Sequence, residues 1–497
     1  MNDSTLYLGI DCGTQGTKAL ILDSQSGQVL GLGAAPHTLT QGENGRREQD
    51  TEQWLHALRE ATRQALANAG VSGQHIKGIG VSGQQHGLVL LDKHGNVLRP
   101  AKLWCDTEST AENQQLLDWL GGDAGSLERL GLVIAPGYTV SKLLWTRIHH
   151  PQVLEQTAHI LLPHDYLNFW LTGRSCSEYG DASGTGYFNV RTRQWDLDIL
   201  RHIDPSGALE RALPELIESS QPVGTLRPEV AHLLGLNLDA VVSSGGGDNM
   251  LGAIGTGNIT PGIITMSLGS SGTLYAFNEH PQVSPDASVA SFCSSSGGWL
   301  PLICTLNLTN VTGAIRELLA LSLEGFNTLA NQAPIGAYGV SMLPFLNGER
   351  VPALPNATGS LQGLTLTNLN PANLCRAALE GTTFGLRYGL DLLRRNGLQS
   401  HTIRLIGGGS KSPLWRQMVA DIMNTPVVCA EQSEAAALGA AIQAAWCVSA
   451  GTETLADLCG RCVRLDPDSQ TKPDATHVAA YERLYQHYRE QVAALTE

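Results

Sequence analysis

A chain of 497 residues, 42% hydrophobic and only 16% charged, has the composition of a compact globular protein and is too long for one core, so two domains of roughly 250 residues each are expected. A formal net charge of −14 argues against nucleic acid or an anionic membrane as partner, but not against a nucleotide held by local N–H groups and a metal ion. Ten cysteines without a framework spacing fit reduced thiols in a cytoplasm, the N-terminus lacks signal-peptide character, and no run of about 18 apolar residues offers a membrane span.

In chain order, Leu6–Cys12 is predicted to be a strand, Gly13-Thr-Gln-Gly-Thr17 a tight turn and 18–23 a returning strand, with a third strand over 29–33 completing a meander. Asp50 with Gln53 three residues on marks a helix start. Trp54, Leu58, Ala61 and Ala65 recur at helical spacing, and Gly70 falls where a left-handed C-terminal residue belongs. Short strands follow over 76–81 and 87–91, around Ser82-Gly-Gln-Gln-His86. Gly78-Ile-Gly-Val-Ser-Gly83 spells a dinucleotide fingerprint, yet the residues after it stay extended where a helix should open, so an NAD site is not expected. No P-loop and no protein-kinase motif set occurs.

A mixed region runs from Pro100 to about Leu236. Near 240 an apolar strand empties into Gly245-Gly-Gly-Asp248-Asn249, and the domain boundary is expected just ahead of it, giving 1–240 and 241–497. The second half then repeats the opening plan: strand 262–268, turn Gly269-Ser-Ser-Gly-Thr273, strand 274–277. Helices are predicted near 373–395 and after Ser412 and Ser433, a strand over 403–406, and a plain amphipathic helix over 480–495. Cys459-x-x-Cys462 has no second pair or histidine nearby, so neither a zinc nor a redox centre is expected there.

The two matching hairpins carry the chemistry. Tight turns rich in Gly and Thr leave N–H groups and hydroxyls free to face an anion, and two of them can close on a phosphate chain from opposite sides. Only the first has an acid before its turn, Asp11, where the second has Ser267. One carboxylate suits a single Mg²⁺ holding nucleotide phosphates. Ile406-Gly-Gly-Gly409-Ser410 has more glycine than a turn needs, which points to close approach of a flat ligand such as adenosine. Asp248, at a strand end among glycines, is placed either to cap the next helix or to accept a hydroxyl proton in phosphoryl transfer, and the second reading is favoured. His86, bracketed by small and polar residues, suits hydrogen bonding to a polyol. Trp104 and Asp106 offer a wall and a hydroxyl acceptor, although Trp104 fits simple core packing equally well.

Taken together, Gly9-Ile-Asp11-x-Gly13-Thr14-x-Gly16-x-Lys18, Ser82-Gly-Gln-x-His86-Gly87, Leu103-Trp104-x-Asp106, Gly246-Gly-Asp248-Asn249, Leu268-Gly-x-Ser271-Gly-Thr273, Leu343-Pro-Phe-x-x-Gly348-Glu-Arg350 and Gly407-Gly-Gly-Ser410 resemble the FGGY carbohydrate kinases in family order, and among them those acting on D-xylulose. The resemblance implies an α/β fold of two ribonuclease-H-like, actin-like domains with the active site in the cleft between them. It implies ATP-dependent, Mg²⁺-dependent phosphorylation of D-xylulose to D-xylulose 5-phosphate, with Asp248 as base. Gln85, His86, Trp104, Asp106 and Asn249 would hold the sugar and Asp11 the metal. Thr14, Gln15, Lys18, Gly269, Ser271, Thr273, Gly408, Gly409 and Asn424 make up the nucleotide set. A homodimer is frequent among the relatives. Two positions depart from the pattern: Gln85 stands where many relatives have Met, and Glu108 where many have Arg. The alternatives are a kinase for ribulose, L-xylulose, xylitol or glycerol, and a non-enzymatic ATP switch on the same actin-like fold.

Overall fold

The first two strands of the chain are buried along most of their length, the mark of a sheet covered on both faces, and the third, at the sheet edge, alternates buried and exposed residues. The structure, a computed structural model, describes residues 5–495. β1 (Leu6–Cys12), β2 (Gly16–Asp23) and β3 (Gln28–Pro36) form the expected antiparallel meander. α1 (Thr51–Ala69) begins at Asp50, whose side chain accepts the Glu52 N–H, and ends at Gly70 in the left-handed region (φ 65°). Its buried stripe of Trp54, Leu58, Ala61 and Ala65 packs on the meander. β4 (Ile76–Gly83) runs parallel to β1 in a register that sets Ser82 beside Asp11. α2 (Pro163–Thr172) follows, and β5 (Pro222–Thr225) closes one edge of the sheet.

The next strands correct the expected boundary. β6 (Val241–Ser243) and β7 (Gly246–Gly247) both pair parallel to β4, so 241–247 complete the first sheet instead of opening the second half. The change in composition near 240 marks a largely buried strand running into a glycine turn, not a linker. α3 (Asp248–Gly255) comes directly after it.

The second sheet repeats the first. β8 (Gly262–Leu268) and β9 (Gly272–Ala276) are its antiparallel hairpin, with β10 (Ala290–Cys293) and β11 (Trp299–Thr305) beyond β9. After α4 (Pro371–Arg395), β12 (Ser400–Ile406) pairs parallel to β8, as β4 does to β1. α5 (Pro413–Met423) starts at Ser412, which accepts the Trp415 N–H, with Pro413 at the first helical position. β13 (Val427–Ala430) and β14 (Leu465–Thr471) complete a seven-stranded sheet ordered β10-β11-β9-β8-β12-β13-β14. The two sheets with matching hairpins and parallel partners are the duplicated α/β plan the resemblance implies.

α6 (Ala435–Ser449) is apolar around its whole circumference, which requires burial on all sides. It lies against β1, β2 and β4 of the first sheet and crosses α3. The crossing is close: a Cβ on Gly439 would stand 1.8 Å from the Leu251 carbonyl oxygen. α7 (Leu455–Cys462) buries both Cys459 and Cys462 in the cluster that α6 anchors. α8 (Ala475–Ala493) is more than a surface helix, because Tyr481, Tyr485 and Tyr488 stack around Phe384 of α4. Among the described residues no helix is long and apolar enough to cross a membrane.

Candidate active site between the two sheets

Asp11 sits at the C-terminal end of β1, where parallel pairing with β4 brings the Ser82 hydroxyl to donate to its Oδ1 at 2.8 Å. Burial pushes its carboxyl up to about 6, only partly opposed by that bond and by the charge of Lys18. The turn after it is closed by Gly13 N–H to Gly16 O (3.0 Å). Thr14 is clamped from inside the protein. Its hydroxyl donates to Gln84 Oε1 and accepts from Trp104 Nε1, and its carbonyl accepts from Gln49 Nε2. What the hairpin can offer outward is therefore backbone N–H groups and the exposed Gln15. Lys18 is not free for phosphate in this state: its Nζ lies 2.5 Å from Glu434 Oε2, just before α6.

Asp248 is the first residue of α3 and does not cap it. Its Oδ1 accepts from the N–H and the side-chain Nδ2 of Asn249, at 2.7 and 3.0 Å. Burial, then the negative charge of Asp11, lifts its carboxyl to about 7 against the opposing Asn249 N–H. That is the range in which a carboxylate exchanges protons near neutrality.

His86 is held in the left-handed region (φ 63°), its ring between Tyr138 and Phe292 at 4.6 and 5.6 Å. Nδ1 lies 2.8 Å from the Gly184 carbonyl. A carbonyl only accepts, so the proton is on Nδ1 and the Nε2 lone pair faces outward as an acceptor. Burial, with Lys142 and Arg350 nearby, pushes the imidazole down to about 3, so it stays neutral. Lys142, itself pushed down to about 7 by burial, donates to the His86 and Gly137 carbonyls and fixes this segment.

Three expected site residues are engaged elsewhere. Asp106 is fully buried, with its oxygens taken by the Arg47 N–H, the Glu108 N–H and Lys102 Nζ (2.7, 3.1 and 3.0 Å), so it anchors a loop and has no lone pair aimed at a sugar. Lys102 also bonds Glu108 at 2.6 Å and lies 3.4 Å from Glu48. The cation in this acidic cluster of Glu48, Asp106 and Glu108 is thus the protein's own. Gln85 is only 5% exposed, and its Oε1 accepts from Asn249. Asn424 is the left-handed residue that ends α5 (φ 47°), an exposed position. The glycine turn lies at the other end of that 11-residue helix, about 16 Å away at 1.5 Å per residue.

Beside the second hairpin a cavity of about 1110 Å³ is lined by Gly269, Gly408, Gly409, Asn327, Ser412 and Trp415, among others. Gly269, Gly408 and Gly409, all of the expected nucleotide set, line it together. Ser271 stands on the adjoining turn and Thr273 at the start of β9, opposite Cys304 of β11. Asn327 was not legible in the sequence. It comes from a helix over Leu323–Gln332 that carries no glycine motif, and its Oδ1 accepts from the Ser412 hydroxyl at 3.1 Å. The cavity is large enough for a nucleoside and reaches Gly269 and Ser270 of the second hairpin.

The N-terminal domain model of the FGGY family of carbohydrate kinases matches residues 6–255, and the C-terminal domain model matches 265–448. Xylulose kinase of Haemophilus influenzae is 51% identical over 487 residues, covering 97% of this chain and 98% of that protein. Xylulose kinase of Streptomyces rubiginosus is 40% identical, covering 89% of this chain and 88% of that protein. The crystal structure of xylulose kinase from Bifidobacterium adolescentis superposes with a TM-score of 0.84 at 30% identity, over 97% of this chain and 99% of that one. With both halves matched and relatives aligned end to end, the chain belongs to the FGGY family of carbohydrate kinases.

Proposed function

We propose that this enzyme transfers the γ-phosphoryl group of ATP to the terminal hydroxyl of D-xylulose, giving D-xylulose 5-phosphate and ADP. The carrying observation is one buried, ionisable carboxyl at Asp248, close enough to Asp11 at the end of the first hairpin strand to feel its charge. End-to-end similarity to xylulose kinases favours the ketose. Asp248 accepts the hydroxyl proton while the sugar oxygen bonds to the γ-phosphorus and the bond to the β,γ-bridging oxygen breaks. His86 Nε2 accepts from a sugar hydroxyl, and the Tyr138–Phe292 sandwich holds its ring. The glycine cavity takes the adenosine, and the hairpins take the phosphates.

Asp11 fits a magnesium role. It is a buried carboxylate with one oxygen bonded to Ser82 and the other without a side-chain partner among the described residues. Bound through Asp11, Mg²⁺ would neutralise phosphate charge. The ten cysteines, all free, suit a reducing cytoplasm.

The reading is tested by ADP release with Mg-ATP across D-xylulose, L-xylulose, both ribuloses, xylitol and glycerol. The expected result is the highest kcat/KM for D-xylulose. A preference for another polyol would move the substrate, and ATP turnover indifferent to every polyol would favour the actin-like switch.

The pH dependence has a definite sign. A base must be ionised, so kcat/KM for the sugar should fall tenfold per pH unit below about 7, where Asp248 becomes protonated, and level off above it. His86 adds no limb there, since it is neutral throughout. A profile flat from pH 5 to 8 would contradict the assignment.

A further inference from the structure

Behind Asp248 runs a line of buried polar side chains that the reaction above leaves unused. His164 of α2 is fully buried between two carboxylates, with Nδ1 2.7 Å from Asp181 Oδ2 and Nε2 3.0 Å from Asp165 Oδ1. Nδ1 is hydrogen-bonded to Asp181, whereas Nε2 approaches Asp165 without completing a hydrogen bond; burial disfavours the charged ring, but the two carboxylates outweigh it and raise its protonation well above the ordinary range. Asp165 is fixed in turn by the Leu162 N–H at 3.1 Å.

On the other side of Asp181 two buried atoms lack a partner: its own Oδ1, an acceptor, and Gln85 Nε2, a donor. Both side chains crowd the same glycine, since a Cβ on Gly247 would stand 2.8 Å from Gln85 Cγ and 3.1 Å from Asp181 Oδ1. A donor and an acceptor left open beside one glycine are complementary, and a single trapped water would bridge them. The far end of the same amide, Gln85 Oε1, accepts from Asn249 Nδ2 at 2.9 Å, and that nitrogen also reaches Asp248 Oδ1 at 3.0 Å.

We propose that Gln85 is a positioning residue, a buried link that ties the His164–Asp181 pair to Asn249 and so fixes the orientation of Asp248. The charged pair decides which way round the Gln85 amide sits, nitrogen toward Asp181 and oxygen toward Asn249. Asn249 is then left as a donor to one oxygen of Asp248, and the other oxygen is bonded to no other side chain among the described residues. A methionine at 85 would have neither donor nor strong acceptor and would leave both ends of the link unmade. Gln85 therefore tightens the base and does not touch the sugar. The inference rests on Asp248 being the base.

The test is a kinetic cycle of Gln85→Met, Asp181→Asn and the double variant, with melting temperature as the control for folding. The expected result for Gln85→Met is a kcat lower by about tenfold, with KM for ATP unchanged and KM for D-xylulose moved less than about threefold. Asp181→Asn should lower kcat similarly, and the double variant should fall no further than the worse single, because both cut one chain. An unchanged kcat with a raised xylulose KM in Gln85→Met would make Gln85 a sugar ligand and overturn the proposal. So would losses that multiply in the double variant. Should Asp181→Asn fail to fold, the kcat-against-KM split of Gln85→Met alone decides. Asp248→Asn, measured beside them, separates the two readings: turnover kept there removes the base, whereas turnover lost there with Gln85→Met silent removes only the link.

Discussion

Replacing Asp248 by asparagine should lower kcat by roughly 10²–10⁴-fold, about 3–5 kcal/mol of barrier, while ATP still binds with near wild-type affinity. Asparagine keeps the shape and the bonds to Asn249 but has no lone pair basic enough to take the hydroxyl proton. The cavity proposed for the nucleotide is built from other residues, Gly269, Gly408 and Trp415 among them, so ATP affinity has no reason to change. Single-turnover kinetics with saturating Mg-ATP and D-xylulose would read the chemical step, and fluorescence titration with a nucleotide analogue would read binding. Turnover within tenfold of wild type would remove Asp248 from the role. The same substitution carries a stability prediction. The carboxyl is raised from 3.8 to about 7 in the folded state, so the folded protein holds a proton that the unfolded chain has lost between those values. Ionised Asp248 therefore destabilises the fold, not at all below about pH 3.8, increasingly up to pH 7 and fully above it, by a few kcal/mol in order of magnitude. Asparagine removes that strain. The variant should melt higher than wild type at pH 8, and the gap should shrink toward pH 5.

The largest effect on stability is expected at the crossing of α3 and α6. A side chain at Gly439 meets the Leu251 carbonyl oxygen at 1.8 Å and its carbon at 2.7 Å, and both are backbone atoms inside a helix that cannot turn aside as a rotamer can. Ordinary overpacking costs about 1–3 kcal/mol. Gly439→Val should exceed about 4 kcal/mol, because the two helices must separate and uncover the cluster around Leu438, Ala441 and Ile442. Gly460 of α7 is the matched control: a Cβ there meets nothing within 4 Å, so Gly460→Ala should be neutral or stabilise by up to about 1 kcal/mol through helix propensity. Urea denaturation of both variants measures the difference. A Gly439→Val change below 1 kcal/mol would mean that the helices are free to move apart.

Features written into a few consecutive residues could be read before any fold was known. The turns at 13–17 and 269–273, the Asp50 and Ser412 caps and the glycines at 407–409 depend on local backbone geometry, and each lies where the sequence placed it. What failed to show were partnerships set by distant chain. Asp106 has the residue type of a hydroxyl acceptor, and only folding brings Lys102 and the Arg47 N–H onto its oxygens. Gln85 looks like a sugar ligand until Asn249, 164 positions away, takes its carbonyl oxygen. His164 reads as one histidine in an ordinary helix, because neither the sequence spacing to Asp181 nor any motif announces that the two meet. The boundary near 240 misled for a related reason: a shift in composition reports burial and glycine content, and it is silent on which sheet a strand joins.

The position of α6 also bears on how this protein is made. One face of the first sheet, with Tyr7, Leu20 and Leu22, is covered by Ala437, Ala441 and Ile442, which come from near the far end of the chain. A ribosome delivering residues in order has emitted β1 to β7 long before it reaches the helix that shields them, and until then that apolar face meets water. An N-terminal fragment cut at the end of β7 should therefore bind hydrophobic dye and aggregate, and a peptide spanning α6 should suppress both.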